Sequence, residues 1–215
     1  WNPENWITQI PKPVYISELS VPGAWYCTNS AYQNHTTLSD LYNAGIRAFH
    51  IDCRVTKVAG SYAWFSKFNA SDKAYLAVAG TETTSTGFLN INLNQGTEVL
   101  DVVKQIVALA KQHPDEYVVI VLTIAEQPKN DSDQTILGSV APSVVLPYIG
   151  NVITNTDPIS YTVDGVTKTT SIQASLYTDI TADTTVDDLI GEKNVMIKIN
   201  ANTNKLYQMA SVPNT

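Results

Sequence analysis

The chain has 215 residues, of which 44% are apolar and 15% charged, and its 13 basic and 20 acidic groups give a net charge of −7. A chain of this length buries roughly 70% of the surface that its unfolded form exposes, so it can build a core without disulfides or metals. Its isoelectric point is near 4.8 and its basic residues are scattered singly, which argues against a nucleic-acid partner.

No segment predicts a membrane span or an N-terminal leader. The longest apolar run, near residues 117–124, is far shorter than the ~20 residues that cross a bilayer. The chain does not open on a basic stretch followed by an apolar one, so we expect the N-terminus to be mature or trimmed. Cys27 and Cys53 form no CxxC pair and indicate neither a zinc site nor a disulfide framework, although a single bridge between them stays open.

Strand-like and helical segments alternate along the chain, which is typical of βαβ units around a parallel sheet. Five segments have the composition of strands: residues 14–21, 46–55, 75–79, 116–124 and 194–199. We expect the first to end at Pro22-Gly23. A helix over 38–43 has Thr37 or Ser39 as its cap, and Gly45 turns the chain into the second strand.

The clearest helix follows Thr97, which can cap it, and ends before Pro114. Its apolar residues have the spacing of a helix laid on a sheet. They are Val99, Val103, Ile106, Val107 and Ala110. A shorter helix is expected near 140–148, and the Asp164-Gly165 turn predicts a hairpin. Residues 116–124 are apolar on both faces, as a central strand covered by helices must be.

The predicted strands are too few to close an eight-stranded barrel. An open barrel would leave two unpaired sheet edges and a half-covered core. These residues alone therefore leave two alternatives, a smaller open sheet or part of a longer barrel.

Residues 16–55 carry a resemblance to a known family. They read ISELSVPGAWYCTNS…YNAGIRAFHIDCRV, which resembles the first two βα units of the phosphatidylinositol-specific phospholipase C X domain. Bacterial members of that family read approximately ISIPGTHDS…QLxxGIRxFDIR. The later segments KQHPDEYVVIVLTIAE and GEKNVMIKIN resemble further family strands in the expected order. The resemblance implies an α/β fold, a distorted (β/α)8 TIM-type barrel that is incomplete here, with residues 1–215 as one domain continuing beyond Thr215.

The resemblance implies a phosphoric diester hydrolase acting on phosphatidylinositol or a related inositol or glycerol phosphodiester. In the family, one histidine deprotonates the inositol 2-hydroxyl, a second protonates the leaving oxygen, and a cation stabilises the phosphate. The two histidines fall here on Trp25 and Ala79, so the usual acid–base pair is replaced. The alternative is a pseudoenzyme, a binding module for an inositol, sugar or phosphate headgroup.

The resemblance does not predict a cofactor for this chain. The positions of the family's calcium ligands fall here on Tyr26, His50, Asp52 and Ala125. One carboxylate among four positions makes a poor site, because Ca²⁺ takes six to eight oxygen ligands. Neither calcium nor another cofactor is predicted.

A different set of polar residues lies at the strand ends. His50, Asp52 and Arg54 alternate along one face of the second strand and are the candidate catalytic residues. A histidine beside a carboxylate can recover the base function, and Arg54 can hold a phosphate. The structural alternatives are a neutral His50 that is hydrogen-bonded to Asp52, and an ion pair between Arg54 and Asp52.

Four further residues are candidates for substrate binding: Trp25, Tyr26, Glu126 and Lys198. Trp25 has no acceptor lone pair and is expected to form a stacking wall, with filling of the core as the alternative. Lys198 can hold a phosphate, while Glu126 and Lys198 are otherwise solvated charges. Asp52 and Glu126 also leave open a barrel glycosidase with paired carboxylates.

Aromatic residues cluster after the second strand, and Trp64 and Phe65 there predict peripheral membrane contact, because relatives in the family use exposed aromatic rings in this region. The alternative is that these rings cover the core. We expect a monomer whose partner is a small molecule or a lipid headgroup. By resemblance, we expect a secreted, periplasmic or cell-surface location.

Overall fold

The computed structural model describes residues 2–25, 27, 37–57, 74–78, 84–87, 90–93, 98–124 and 142–201. The strands are β1 (Gly23–Ala24), β2 (Ala48–Lys57), β3 (Ala74–Val78), β4 (Thr84–Gly87), β5 (Asn90–Leu93), β6 (Val118–Ile124), β7 (Ile159–Val163), β8 (Val166–Thr170) and β9 (Val195–Ala201). The helices are α1 (Leu38–Asn43), α2 (Val99–Gln112), α3 (Pro142–Ile153) and α4 (Ile172–Ser175), and 3-10 turns occur at Pro3–Gln9, Ile16–Glu18 and Asp187–Leu189.

The main sheet has the strand order β1-β2-β6-β9, and these four strands run parallel. β3 pairs with the outer part of β2 in the antiparallel direction. The pairs β4–β5 and β7–β8 are separate two-stranded sheets. The predicted α/β class is therefore confirmed. In the described residues the strands form an open sheet and do not close into a barrel, and the continuation beyond Thr215 stays a prediction.

Two of the five predicted parallel strands are wrong. Residues 14–21 contain the 3-10 turn Ile16–Glu18, and β1 begins at Gly23, where the predicted strand was to end. Ile16 and Leu19 are apolar because they pack against a buried cluster near the N-terminus, not because they alternate along a strand. The third predicted strand exists as β3, but its direction relative to β2 is set by a distant partner that local sequence does not specify.

The local signals at turns and caps are confirmed. The Thr37 hydroxyl accepts a hydrogen bond from the Asp40 amide (3.1 Å), and the Asp40 carboxylate accepts one from the Thr37 amide (3.0 Å). Gly45 has a φ of +94°, and a Cβ there would overlap the Pro3 carbonyl oxygen. Asp164 and Gly165 both have positive φ, as a two-residue hairpin turn requires.

The main core lies between α2 and one face of the sheet. The predicted stripe of α2 is confirmed, since all five of its apolar residues are buried in this core. The sheet contributes the odd-numbered residues of β2 and the even-numbered residues of β6: Phe49, Ile51, Cys53, Val118, Ile120 and Leu122. Side chains alternate along a strand, so the even-numbered residues of β2 face the other side.

A second apolar cluster covers the amino-end half of that other face. Its buried members are Trp6, Ile7, Tyr117, Val186, Leu189 and Met196. The N-terminal 3-10 segment therefore packs against this face of the sheet. The indole Nε1–H of Trp6 also donates a hydrogen bond to the Gly45 carbonyl at 2.8 Å. None of the described helices is long and apolar enough to cross a bilayer.

Candidate functional site

The carboxyl-end half of the same sheet face is polar. Strand register places Asp52 beside Thr123 and Thr123 beside Asn200, so one row crosses β2, β6 and β9. The same register runs from His50 through Val121 to Lys198. The face thus changes from apolar at the amino ends to polar at the carboxyl ends, which is the end where parallel α/β sheets bind ligands.

His50 lies at the centre of this polar half and is only 7% exposed. Its ring Nε2 is 2.7 Å from the Thr123 hydroxyl oxygen and 3.8 Å from Asp52 Oδ1. The imidazole is therefore hydrogen-bonded to Thr123, whereas the structural alternative named Asp52 as its partner. Burial lowers the pKa of His50 more than the nearby Asp52 carboxylate raises it, so the imidazole is neutral near pH 7.

Trp25 follows β1 directly and stacks on His50. The ring centroids are 3.7 Å apart and the ring planes differ by 16°. Trp25 nevertheless remains 59% exposed, so it lies at the surface of the site and does not fill the core. Its role as a stacking wall for a ligand stays a prediction.

Asp52 is buried beside His50, and its side chain is 10% exposed. Among the described side chains, no lysine or arginine forms an ion pair with this carboxylate. Lys198 is exposed on the same sheet face, two strands away. The site therefore combines a buried carboxylate on β2 with an exposed cation on β9.

The described residues leave several candidates undetermined. Arg54 is placed on β2 by its backbone, but its side chain lies outside the described residues, as do Tyr26, Ala79, Glu126 and Ala125. The aromatic residues Trp64 and Phe65 and the capping residue Thr97 also lie outside them. Catalysis by Arg54, binding by Tyr26 and Glu126, and the paired carboxylates of a glycosidase all stay predictions.

The two cysteines are buried free thiols, so they form no bridge here. Burial raises the pKa of Cys27 to about 12 and raises that of Cys53 as well, and both thiols are thus protonated and unreactive near pH 7. Within the described ranges, no three His, Cys, Asp or Glu side chains come together as a metal site.

Sequence reasoning missed Thr123 and Asn200. Thr123 is a hydroxyl residue in an otherwise apolar strand, and that exception was a usable signal. Its importance depends on the register that brings it beside Asp52, and Asn200 joins the row for the same reason.

Comparison with known proteins supports the fold. No protein-family model and no curated protein matches the chain. A double mutant of the phosphatidylinositol-specific phospholipase C from S. aureus matches with a TM-score of 0.50 and 12% identity, over 93% of this chain and 53% of that one. The phosphatidylinositol-specific phospholipase C from Listeria monocytogenes matches with a TM-score of 0.41 and 16% identity, over 95% and 58%.

The chain thus spans between half and three fifths of the length of these phospholipases. At 12% identity the S. aureus match shows the fold alone. Together with the parallel sheet of four strands, it gives this chain a phospholipase C-like α/β fold.

Proposed function

We propose that the polar half of the sheet binds the phosphate-bearing headgroup of a phosphodiester, and that this chain acts as a binding module on a phospholipase C-like fold. One observation carries the proposal. Trp25, which by resemblance falls at the position of the family's first histidine, stacks on His50 and remains 59% exposed. Indole has no titrating group near pH 7, but its flat apolar face suits a ring-shaped ligand.

The neighbouring residues support the same interpretation. Lys198 is an exposed cation on this face and can meet a phosphate, while Thr123 and Asn200 offer groups that hydrogen-bond to ligand hydroxyls. His50 is a poor candidate for a base while its Nε2 is engaged by Thr123 beneath Trp25. This geometry therefore supports ligand binding better than it supports acid–base catalysis.

Calorimetric titration with inositol 1-phosphate and glycerol 3-phosphate tests the proposal. We expect Trp25→Ala to weaken binding of the inositol ligand about tenfold, or about 1.4 kcal/mol. We expect Lys198→Ala to weaken the binding of both phosphates. Lys168→Ala, at an exposed lysine on the separate β8, should leave the binding of both unchanged. Undisturbed binding in both Trp25→Ala and Lys198→Ala would contradict the proposal.

A second candidate function is phosphodiester hydrolysis with His50 as base. It is favoured by the lowered pKa of His50, because a neutral imidazole can accept a proton, and by the carboxylate of Asp52 at 3.8 Å. Hydrolysis of phosphatidylinositol or of a chromogenic phosphodiester should then disappear in His50→Ala and Asp52→Asn. Turnover no greater than a buffer blank on both substrates would remove this candidate.

The expected cellular location and membrane contact belong to the same proposal. A lipid headgroup as ligand fits a secreted or cell-surface location and peripheral membrane contact through Trp64 and Phe65. Sedimentation with phosphatidylinositol-containing vesicles tests the contact. A Trp64→Ala/Phe65→Ala variant that sediments as the parent chain does would remove it.

A further inference from the structure

Asp52 is the least satisfied charged group that the structure describes in the sheet. Nine-tenths of its side chain is buried, and no hydrogen bond from the described residues reaches its carboxylate. Among the described side chains, its nearest basic atom is Nε2 of His50 at 3.8 Å, and burial keeps that ring neutral near pH 7. Because none of the described side chains supplies a cation to this buried carboxylate, a cation from a ligand would gain from this site.

Trp25 adds a second group that attracts cations. The imidazole of His50 touches both partners, since its ring stacks on the indole at 3.7 Å and its Nε2 lies 3.8 Å from Asp52. The imidazole ring of His50 therefore contacts an exposed indole and lies close to a buried carboxylate. A carboxylate beside an indole is suited to an organic ammonium group, because the indole face is the strongest aromatic attractor of cations.

The opposite charge lies on the other side of the same face. Lys198 shares the register of His50 two strands away, and two strand spacings amount to about 10 Å. Lys198 is exposed, and a lysine side chain is long enough to shorten this span. A ligand lying across the sheet would thus meet a negative group at β2 and a positive group at β9.

We propose that the headgroup recognised here is zwitterionic, with its ammonium group at Asp52 and Trp25 and its phosphate at Lys198. This inference rests on the proposed function, in which a phosphate-bearing headgroup binds this face. A neutral polyol phosphate would bring no cation to Asp52, while a phosphate placed at Asp52 itself would be repelled. The polarity of the face therefore fixes both the class of the ligand and its direction.

The test compares phosphocholine with 3,3-dimethylbutyl phosphate, which has the same shape but carbon in place of the ammonium nitrogen. Calorimetry on the 215-residue chain should show phosphocholine binding at least about tenfold more tightly. Asp52→Asn should abolish this preference and leave 3,3-dimethylbutyl phosphate bound as well as before or better. Asp183→Asn, at an exposed aspartate, is the matched control and should keep the preference.

Equal binding of the two phosphates by the parent chain would overturn ammonium recognition, as would a preference that survives in Asp52→Asn. In either case inositol 1-phosphate binding that depends on Lys198 would leave the proposed function standing, and absence of binding by all three phosphates would remove both. If Asp52→Asn does not fold, the same preference is measured in Trp25→Leu and Trp25→Phe. Loss of the preference in the leucine variant and its partial retention in the phenylalanine variant support the inference, and equal preference in both contradicts it.

Discussion

Two positions five residues apart, one just before β2 and one within it, treat buried charge in opposite ways. Directly before β2, Arg47 is fully buried and uses all five of its N–H donors. Its Nη2 lies 2.7 Å from Glu116 Oε2, which also accepts the Tyr42 hydroxyl at 2.8 Å. Two of its other contacts are the carbonyls of Tyr42 and Glu4, and its guanidinium lies over the Tyr42 ring at 3.7 Å. In the middle of β2, Asp52 is nearly as buried, but among the described side chains the basic group near its carboxylate is the neutral ring of His50.

This difference separates a structural polar cluster from a candidate binding site. The Arg47 cluster joins the N-terminal 3-10 segment, the end of α1 and the residues just before β6, so its charges stabilise the fold. The polar half around Asp52 has no comparable network among the described residues. A buried charge that none of the described side chains neutralises is the basis of the proposed ligand site, since natural proteins rarely leave a buried charge without a partner.

The largest effect is expected from breaking the Arg47 cluster. Arg47→Met should lower the free energy of unfolding by about 3–5 kcal/mol, because Glu116 would remain as a buried carboxylate without its cation. Urea denaturation followed by circular dichroism measures this change. Arg47→Met combined with Glu116→Gln should recover part of the loss, and a loss below about 1 kcal/mol in the single variant would show that the cluster is not structural.

A smaller effect is expected in the polar half of the sheet, at Thr123 on β6. Thr123→Val keeps the shape of the side chain but removes the 2.7 Å hydrogen bond with His50, so unfolding should become easier by about 1 kcal/mol. The matched control is Thr169→Val on the exposed β8, which should change stability by less than about 0.5 kcal/mol. Equal losses in the two variants would mean that Thr123 does not position His50.

The smallest effect is a pH dependence contributed by His50. Its native pKa lies below the ordinary value of 6.5, so below that pH the unfolded chain binds a proton that the native chain does not. The free energy of unfolding should therefore fall as the pH drops from about 6.5 towards the native pKa, and it should keep this contribution fully above 6.5. Denaturation at a series of pH values in the parent chain and in His50→Gln checks this. Identical slopes in the two chains would contradict it.

Local sequence rules predicted the elements whose partners are close in the chain. The Thr37–Asp40 cap, the turn at Gly45, the hairpin at Asp164-Gly165 and the apolar stripe of α2 all have their determinants within a few residues. The same rules failed for residues 14–21, where the apolar residues serve a 3-10 turn packed on a distant cluster. They also could not give the direction of β3, because strand pairing is a contact between remote segments.

The candidate site shows the same division. The alternation of side chains along β2 is enough to place His50 and Asp52 on one face, and the resemblance in residues 16–55 points to Trp25. Neither signal shows that Trp25 stacks on His50, or that Thr123 and not Asp52 holds the imidazole. The stacking depends on the pairing of β1 with β2, and the hydrogen bond depends on the register of β2 with β6, whose paired residues are about 70 positions apart in the chain.

The sequence by itself determined the α/β class, the helices and hairpin with local caps and turns, and the set of polar residues on one face of β2. Only the tertiary structure decided which buried charge is satisfied. Arg47 and Asp52 are five positions apart and differ little in their local sequence signals, yet one meets Glu116 and backbone carbonyls while the other meets a neutral ring. Satisfaction of a buried charge depends on groups brought from remote parts of the chain, and this is why folding was needed to separate the structural cluster from the candidate site.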